Sequence, residues 1–174
     1  GRRGDLGQVA EQARLLAALT AQVFLPEAGH GRYAVFGHSF GGLVAIHWAL
    51  QNPGGLARVV VQSPLLEIGF PIPWWKTAAA RLLATCWPTF PFRLSLDVEA
   101  LSHDPSVVEA YRSDPLVHAV MTARAHRALL RAKEEAHAAA PLLRTPVLLL
   151  CGGADRIVSV EAARRWFDRV ACEK

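Results

Sequence analysis

With 174 residues, 52 % of them hydrophobic and 20 % charged, the chain has the composition of one folded domain with a sizeable core, not of a disordered segment. The formal net charge of +4 and pI near 9.3 come from arginines scattered along the chain, so a nucleic-acid partner is not expected. The three cysteines (Cys86, Cys151, Cys172) have no CxxC spacing, which argues against a disulfide framework or zinc site and for a reducing, cytoplasmic compartment. No apolar run is long enough for a membrane span and no signal peptide is visible. The chain opens at Gly1 without methionine and stops at Lys174 soon after a helix-like run, so a piece of a longer product is expected.

In chain order, Leu6, Val9, Ala13, Leu16, Ala17 and Val23 recur at helical spacing and predict a helix over 5–24, with Asp5 as N-cap. Pro26, Gly29 and Gly31 mark a loop before a strand at 33–36. A helix over 41–51 follows, apolar almost all round, and Asn52-Pro53-Gly54-Gly55 stops it. A β-branched strand at 58–62 closes on Ser63-Pro64. Between 65 and 141 no strand is expected, only helices separated by prolines. Trp75, Ala78, Ala79, Leu82, Leu83 and Cys86 share one face of the first, which ends before Pro88. Asp104-Pro105 opens a short helix over 105–112, with proline at its first position. A long helix over 116–139 carries Val117, Val120, Met121, Ala125, Ala128, Leu129, Ala132 and Ala136 along a stripe. The unbroken apolar run at 145–151 predicts a strand buried on both faces, and 160–170 a last helix.

Strands separated by helices imply an α/β fold with a parallel sheet and right-handed crossovers. Residues 1–64 and 141–174 are expected to build that core. Residues 65–140 form a helical insertion after a strand end, where it covers the site as a lid.

The chemistry is carried by Gly37-His38-Ser39-Phe40-Gly41, between a strand and a helix. Alone, Gly-x-Ser-x-Gly recurs by chance in glycine-rich loops; the strand before it and the unbroken helix after it give it meaning. The sharp turn strains Ser39 and calls for small neighbours at Gly37 and Gly41. It exposes the hydroxyl above a helix N-terminus, where free N–H groups favour an oxyanion. The pattern reads as that of a serine hydrolase.

Further residues carry a more specific resemblance: Gln62-Ser63-Pro64, the run from Leu101 to Pro105, the run from Tyr111 to Val117, and Thr145 through Asp155 to Val158. With the elbow, these make the chain resemble α/β-hydrolases of the monoacylglycerol lipase and bacterial lysophospholipase group nearly end to end. The Asp104-Pro105 and Asp114-to-Val117 segments are more specific than the elbow. The resemblance implies Ser39 as nucleophile, Asp155 as the acid of the triad, and the N–H of Phe40 as one oxyanion donor. Asp155 also lies just past a buried strand, where ligand chemistry collects in open α/β sheets; capping the next helix is its plainer role.

Two family parts are missing. The fold's order is serine, acid, histidine, yet none of the seven histidines follows Asp155. His38 adjoins the nucleophile, and His47 lies roughly 12 Å along the helix. His103, His118, His126 and His137 fall in the insertion as packing or surface residues. The base is expected in a loop beyond Lys174, and the other oxyanion donor, from a His-Gly loop, before Gly1. The start at Gly1 to Asp5 resembles the segment shortly after that loop. The 174 residues alone are therefore expected to be nearly inactive.

Phe70, Ile72, Trp74 and Trp75, broken by Pro71 and Pro73, make a dense apolar segment. Phe70, Trp74 and Trp75 are expected to bind substrate, by lining an acyl channel or dipping into a lipid surface as a peripheral contact; packing onto the core is the plainer role. The resemblance implies a lipid monoester substrate, of monoacylglycerol or lysophospholipid type, with no cofactor and no metal. Other esterases, acyltransferases or peptidases of this fold, and an inactive hydrolase-fold binding protein, are the competing readings.

Overall fold

Val59, Val60 and Val61 sit in the central strand of a three-stranded parallel sheet, as β-branched residues favour. The computed structural model describes residues 9–28, 31–51, 53–94 and 96–173. The strands are β1 (Tyr33–His38), β2 (Leu56–Gln62) and β5 (Val147–Leu150), in the order β1-β2-β5. Val59 pairs with Val35 on one side and Val147 on the other. Both neighbours run parallel to β2, so each connection must cross over. The first crossover is α3 (Phe40–Leu50); the second is the whole segment 65–140.

Residues Gly42 to Ala49 of α3 are all buried, as an all-round apolar helix requires. One side of α3 covers β1 and β2, while α1 (Val9–Leu19) and α6 (Ala123–Ala139) pack over the rest. The core gathers Leu43, Ile46, Trp48, Val59, Val61 and Trp166, the last from α7 (Val160–Arg169). Tyr33 stacks on Trp48 with ring centroids 5.5 Å apart, and burial pushes its hydroxyl pKa up. Two side chains tie α6 to its neighbours. The buried His47 Nε2–H donates to Ala132 O at 2.9 Å, and Trp166 Nε1–H to Ala136 O at 3.1 Å.

Several expectations are corrected. The helix foreseen over 5–24 is α1, a π-helical turn at Thr20–Phe24 and the short α2 (Leu25–Ala28). Thr20 Oγ1 donates back to Leu16 O where the winding changes. Asp5 as a cap, Leu6, the Gly1 to Asp5 start, Gly29 and Asn52 lie outside the described residues.

The strand at 147–150 is not buried on both faces: Leu148 is 52 % exposed and Leu150 42 %. They share a sheet face with Phe36, 60 % exposed, which no described element covers. Alternation along a strand exposed these residues, so apolar continuity alone misjudged their surroundings.

Segment 65–140 does contain strands, β3 (Pro91–Arg93) and β4 (Val120–Thr122), paired antiparallel. They shorten the long helix foreseen over 116–139, since α6 begins only at Ala123, where Thr122 Oγ1 accepts from Ala125 N–H as N-cap. Val117, Val120 and Met121 matched the helical period by coincidence.

The helix α4 (Trp74–Cys86) forms, but its foreseen apolar stripe is not its buried face: Leu82 is 65 % exposed and Cys86 is exposed, while Ala84 is buried. α5 (Pro105–Ser113) opens as read, with proline in its first turn and Asp104 Oδ1 accepting from Ser106 N–H at 2.8 Å. A bond from the Ser106 hydroxyl, and after it this backbone one, hold the Asp104 pKa down. No helix among the described residues is long and apolar enough to cross a membrane.

Candidate active site

The β1–α3 junction is as tight as its sequence implies. Ser39 has φ 51° and ψ −118°, a conformation that costs a non-glycine residue on the order of 1–3 kcal/mol. The surroundings hold it there. Its N–H donates to Gln62 O at 3.0 Å, and its carbonyl accepts from Gly42, Leu43 and Leu65 N–H at 3.0–3.2 Å. The strain is thus anchored to β2 and to the chain leaving it. The Ser39 hydroxyl caps nothing in α3.

The two motif glycines differ. A Cβ on Gly37 would lie 2.8 Å from Gly41 C and 2.9 Å from Ala45 Cβ, and closer still to Gly41 O, so Gly37 has no room for a side chain. A Cβ on Gly41 would meet nothing within 4 Å, which corrects the expectation that both must be small. The tight third position is Gly42, whose Cβ would stand 3.0 Å from Pro64. Phe40 N–H, at the first helical position, has no acceptor among the described residues.

Asp155 follows β5 in a loop closed by its own N–H to Gly152 O at 3.2 Å. Its Oδ1 accepts from Ile157 and Val158 N–H, both at 2.9 Å; Oδ2 has no partner among the described residues. The capping role weighed for it belongs elsewhere: Ser159 Oγ caps α7 by accepting from Ala162 N–H. The loop is also clamped from outside. Ile68 pairs with Val158, Gly69 N–H donates to Ile157 O, and Ser159 N–H to Glu67 O. The chain leaving β2 therefore holds the carboxylate-bearing loop through its backbone.

Ser39 and Asp155 line one cavity of about 1310 Å³, together with Phe70 and Trp75. α4, the β3–β4 ribbon and α6 supply much of the remaining wall. Trp74 does not line it and is 81 % exposed. Phe40 is not in the wall either; only its backbone is placed at the turn.

Sequence reasoning missed several wall residues. Ser63 has a second strained conformation, φ 41°, and its N–H donates to Leu150 O at 2.8 Å. His38, His103 and His126 line the cavity, whereas His47 is spent on Ala132 and His118 and His137 are not in the wall. His126 sits edge-on to Phe92, and burial, then the Lys133 and Arg81 charges, hold its pKa down. The missed signal was the spacing of His126, Leu129, Leu130 and Lys133, which share a helix face.

The whole chain, residues 1–174, matches the Hydrolase_4 family, described as serine aminopeptidase, S33. It belongs to this family. Its fold is that of the α/β-hydrolases, and the proteins it resembles include monoacylglycerol lipases and a phospholipase. It is 32 % identical over 172 residues to a monoacylglycerol lipase of Mycolicibacterium smegmatis, covering 97 % of this chain and 59 % of that protein. It is 29 % identical over 140 residues to phospholipase YtpA of Bacillus subtilis, covering 79 % and 54 %. Among solved structures, a Paleococcus ferrophilus monoacylglycerol lipase superposes with a TM-score of 0.85 at 32 % identity, covering 99 % of this chain and 64 % of that one. The chain thus spans little more than half the length of these curated relatives.

Proposed function

We propose that this α/β-hydrolase chain is the nucleophile- and acid-bearing part of a serine hydrolase that cleaves carboxylic esters of lipids, of monoacylglycerol or lysophospholipid type. One observation carries the reading. A serine held at φ 51° and an aspartate whose Oδ2 has no partner among the described residues line the same apolar-walled cavity from the C-terminal ends of β1 and β5, the two strands that flank β2. The names of the M. smegmatis and B. subtilis relatives supply the substrate class.

In this mechanism Ser39 attacks the ester carbonyl and forms an acyl-enzyme that water releases. Phe40 N–H is one oxyanion donor, helped by the positive end of α3. Asp155 orients a histidine through Oδ2, while Oδ1 stays in the loop. The fold's order puts that histidine after Asp155, and residues 156–174 hold none. The proposal draws it, and the other oxyanion donor, from the length of the relatives that this chain does not span. The 174 residues alone are then nearly inactive. Segment 65–140 acts as the lid over a core of 1–64 and 141–174. Phe70 and Trp75 meet the acyl chain inside, and the exposed Trp74 touches the lipid surface, a peripheral contact.

A fluorophosphonate probe on the full-length protein tests the nucleophile. Labelling should vanish in Ser39→Ala and slow on the order of 10⁴-fold in Asp155→Asn, which keeps the loop acceptor. Labelling that survives Ser39→Ala would sink the assignment. A series of p-nitrophenyl esters tests the substrate: turnover of medium and long chains supports a lipase, whereas turnover of acetate alone leaves a small-ester esterase. No labelling and no turnover would leave a binding protein of hydrolase fold.

A further inference from the structure

The charges lining the cavity do not cancel. Three carboxylates face it: Glu67, Glu99 and Asp155. Two are engaged by arginines outside the wall, Glu67 by Arg165 at 3.1 Å and Glu99 by Arg112. Four cations face it: Lys76, Arg93, Lys133 and Arg156. Arg156 pairs with Asp97 at 3.8 Å, and Lys76 lies 5.5 Å over the Trp75 ring. Lys133 differs from them all. It alone of the four is half-buried, Lys76, Arg93 and Arg156 being exposed; it projects from the middle of α6 and, like Lys76 and Arg93, makes no ion pair among the described residues. Burial pulls its pKa down, and the Glu67 and Glu134 charges pull it back up.

The helix that presents this ammonium is rigidly held. The carbonyls of Ala132 and Ala136, on either side of it, accept the His47 and Trp166 ring N–H groups. His126, Leu129 and Leu130 continue the same face toward the cavity. An apolar acyl chain laid along that face would strip water from an unpaired cation and give nothing back, which is costly. A phosphate or carboxylate against Lys133 replaces the lost hydration with a charge-assisted hydrogen bond, on a donor already in place.

We propose that the cavity selects lipid monoesters that carry an anionic group, and that Lys133 is the residue that recognises the anion. This rests on the cavity being the ester site. The anion has two possible sources, a phosphate in the head group or a carboxylate at the far end of the acyl chain. Both present the same chemistry to the ammonium.

Non-cleavable ethers separate this inference from the catalytic one. Binding to the full-length protein is measured by titration calorimetry, below micelle-forming concentrations, for three probes. These are neutral octylglycerol, its glycerol phosphate counterpart, and an octyl ether ending in a carboxylate. One anionic probe should bind about tenfold tighter than octylglycerol, and its identity tells head group from chain end. The preference should fall to within twofold in Lys133→Met, survive in Lys133→Arg, and shrink with added salt. Should Lys133→Met fail to fold, the Arg variant and the salt series still read the charge. Equal binding of all three probes, or a preference that persists in a folded Lys133→Met, overturns the proposal. Because none of the probes is hydrolysed, an anion preference in a protein that fluorophosphonate does not label would sink the serine mechanism alone.

Discussion

Replacing Gly37 by alanine tests whether the elbow is held by backbone contact. The new methyl carbon would stand 2.8 Å from Gly41 C and closer still to Gly41 O, and ordinary contact begins at 3.4 Å, so the first turn of α3 must retreat by more than about 0.6 Å. Its neighbours are chiefly main chain, with Ala45 Cβ at 2.9 Å, so no rotamer change relieves the clash. Overpacking of this kind costs about 1–3 kcal/mol, and the upper end is expected here because Ser39 is already strained. The retreat also carries Ser39 and the Phe40 N–H away from the cavity, which should slow acylation roughly 10- to 100-fold. Gly41→Ala is the matched control. It has open space and sits inside a helix, where alanine is neutral or stabilising by up to about 1 kcal/mol. Urea midpoints and fluorophosphonate labelling rates on the full-length protein measure both. If Gly37→Ala stays within about 0.5 kcal/mol of the parent, or Gly41→Ala is equally damaging, the packing account of the elbow is wrong.

Trp166→Ala removes a fully buried ring and its bond to Ala136 O, and should cost about 3–5 kcal/mol, lowering the melting temperature by roughly 10 °C or more in calorimetry. Burial holds the His126 and His137 pKa values below the ordinary imidazole value, although Glu67 opposes the shift at His137. The folded state therefore binds their protons less readily than the unfolded chain. Their contribution to stability is complete above about pH 6.5 and is lost as pH falls from there through the folded pKa values. Urea midpoints should decline over that range, with a shallower slope in His137→Gln. Trp74→Ser should weaken binding to lipid vesicles in a sedimentation assay without moving the melting temperature, since the ring is 81 % exposed; a large drop in stability would mean it packs.

Local chemistry was legible in the residues themselves. The elbow announces itself because only a tight strand-to-helix turn makes sense of Gly37, Ser39 and an apolar helix in succession, and the turn is there with its strain. The Val59 to Val61 strand and the Asp104-Pro105 helix start were equally readable, since β-branching and capping act over a few neighbouring residues. Where a side chain's fate depends on something distant, the sequence was silent or misleading. Leu148 and Leu150 read as core yet lie on a sheet face that no described element covers, and Leu82 reads as the seam of a helix that buries Ala84 instead. Val120 fitted a helical period until Arg93 claimed it as a strand partner. Gly37 and Gly41 look alike in the motif; only the approach of α3 to β1 separates the indispensable glycine from the replaceable one. The ammonium of Lys133, without an ion pair among the described residues, is the furthest from view, because the cavity glutamates Glu67 and Glu99 are engaged by two arginines from elsewhere in the fold. Residue order thus determined turns, caps and strand propensity, which are short-range. Packing decided burial and charge balance, because both are sums over groups that the chain brings together only when it folds.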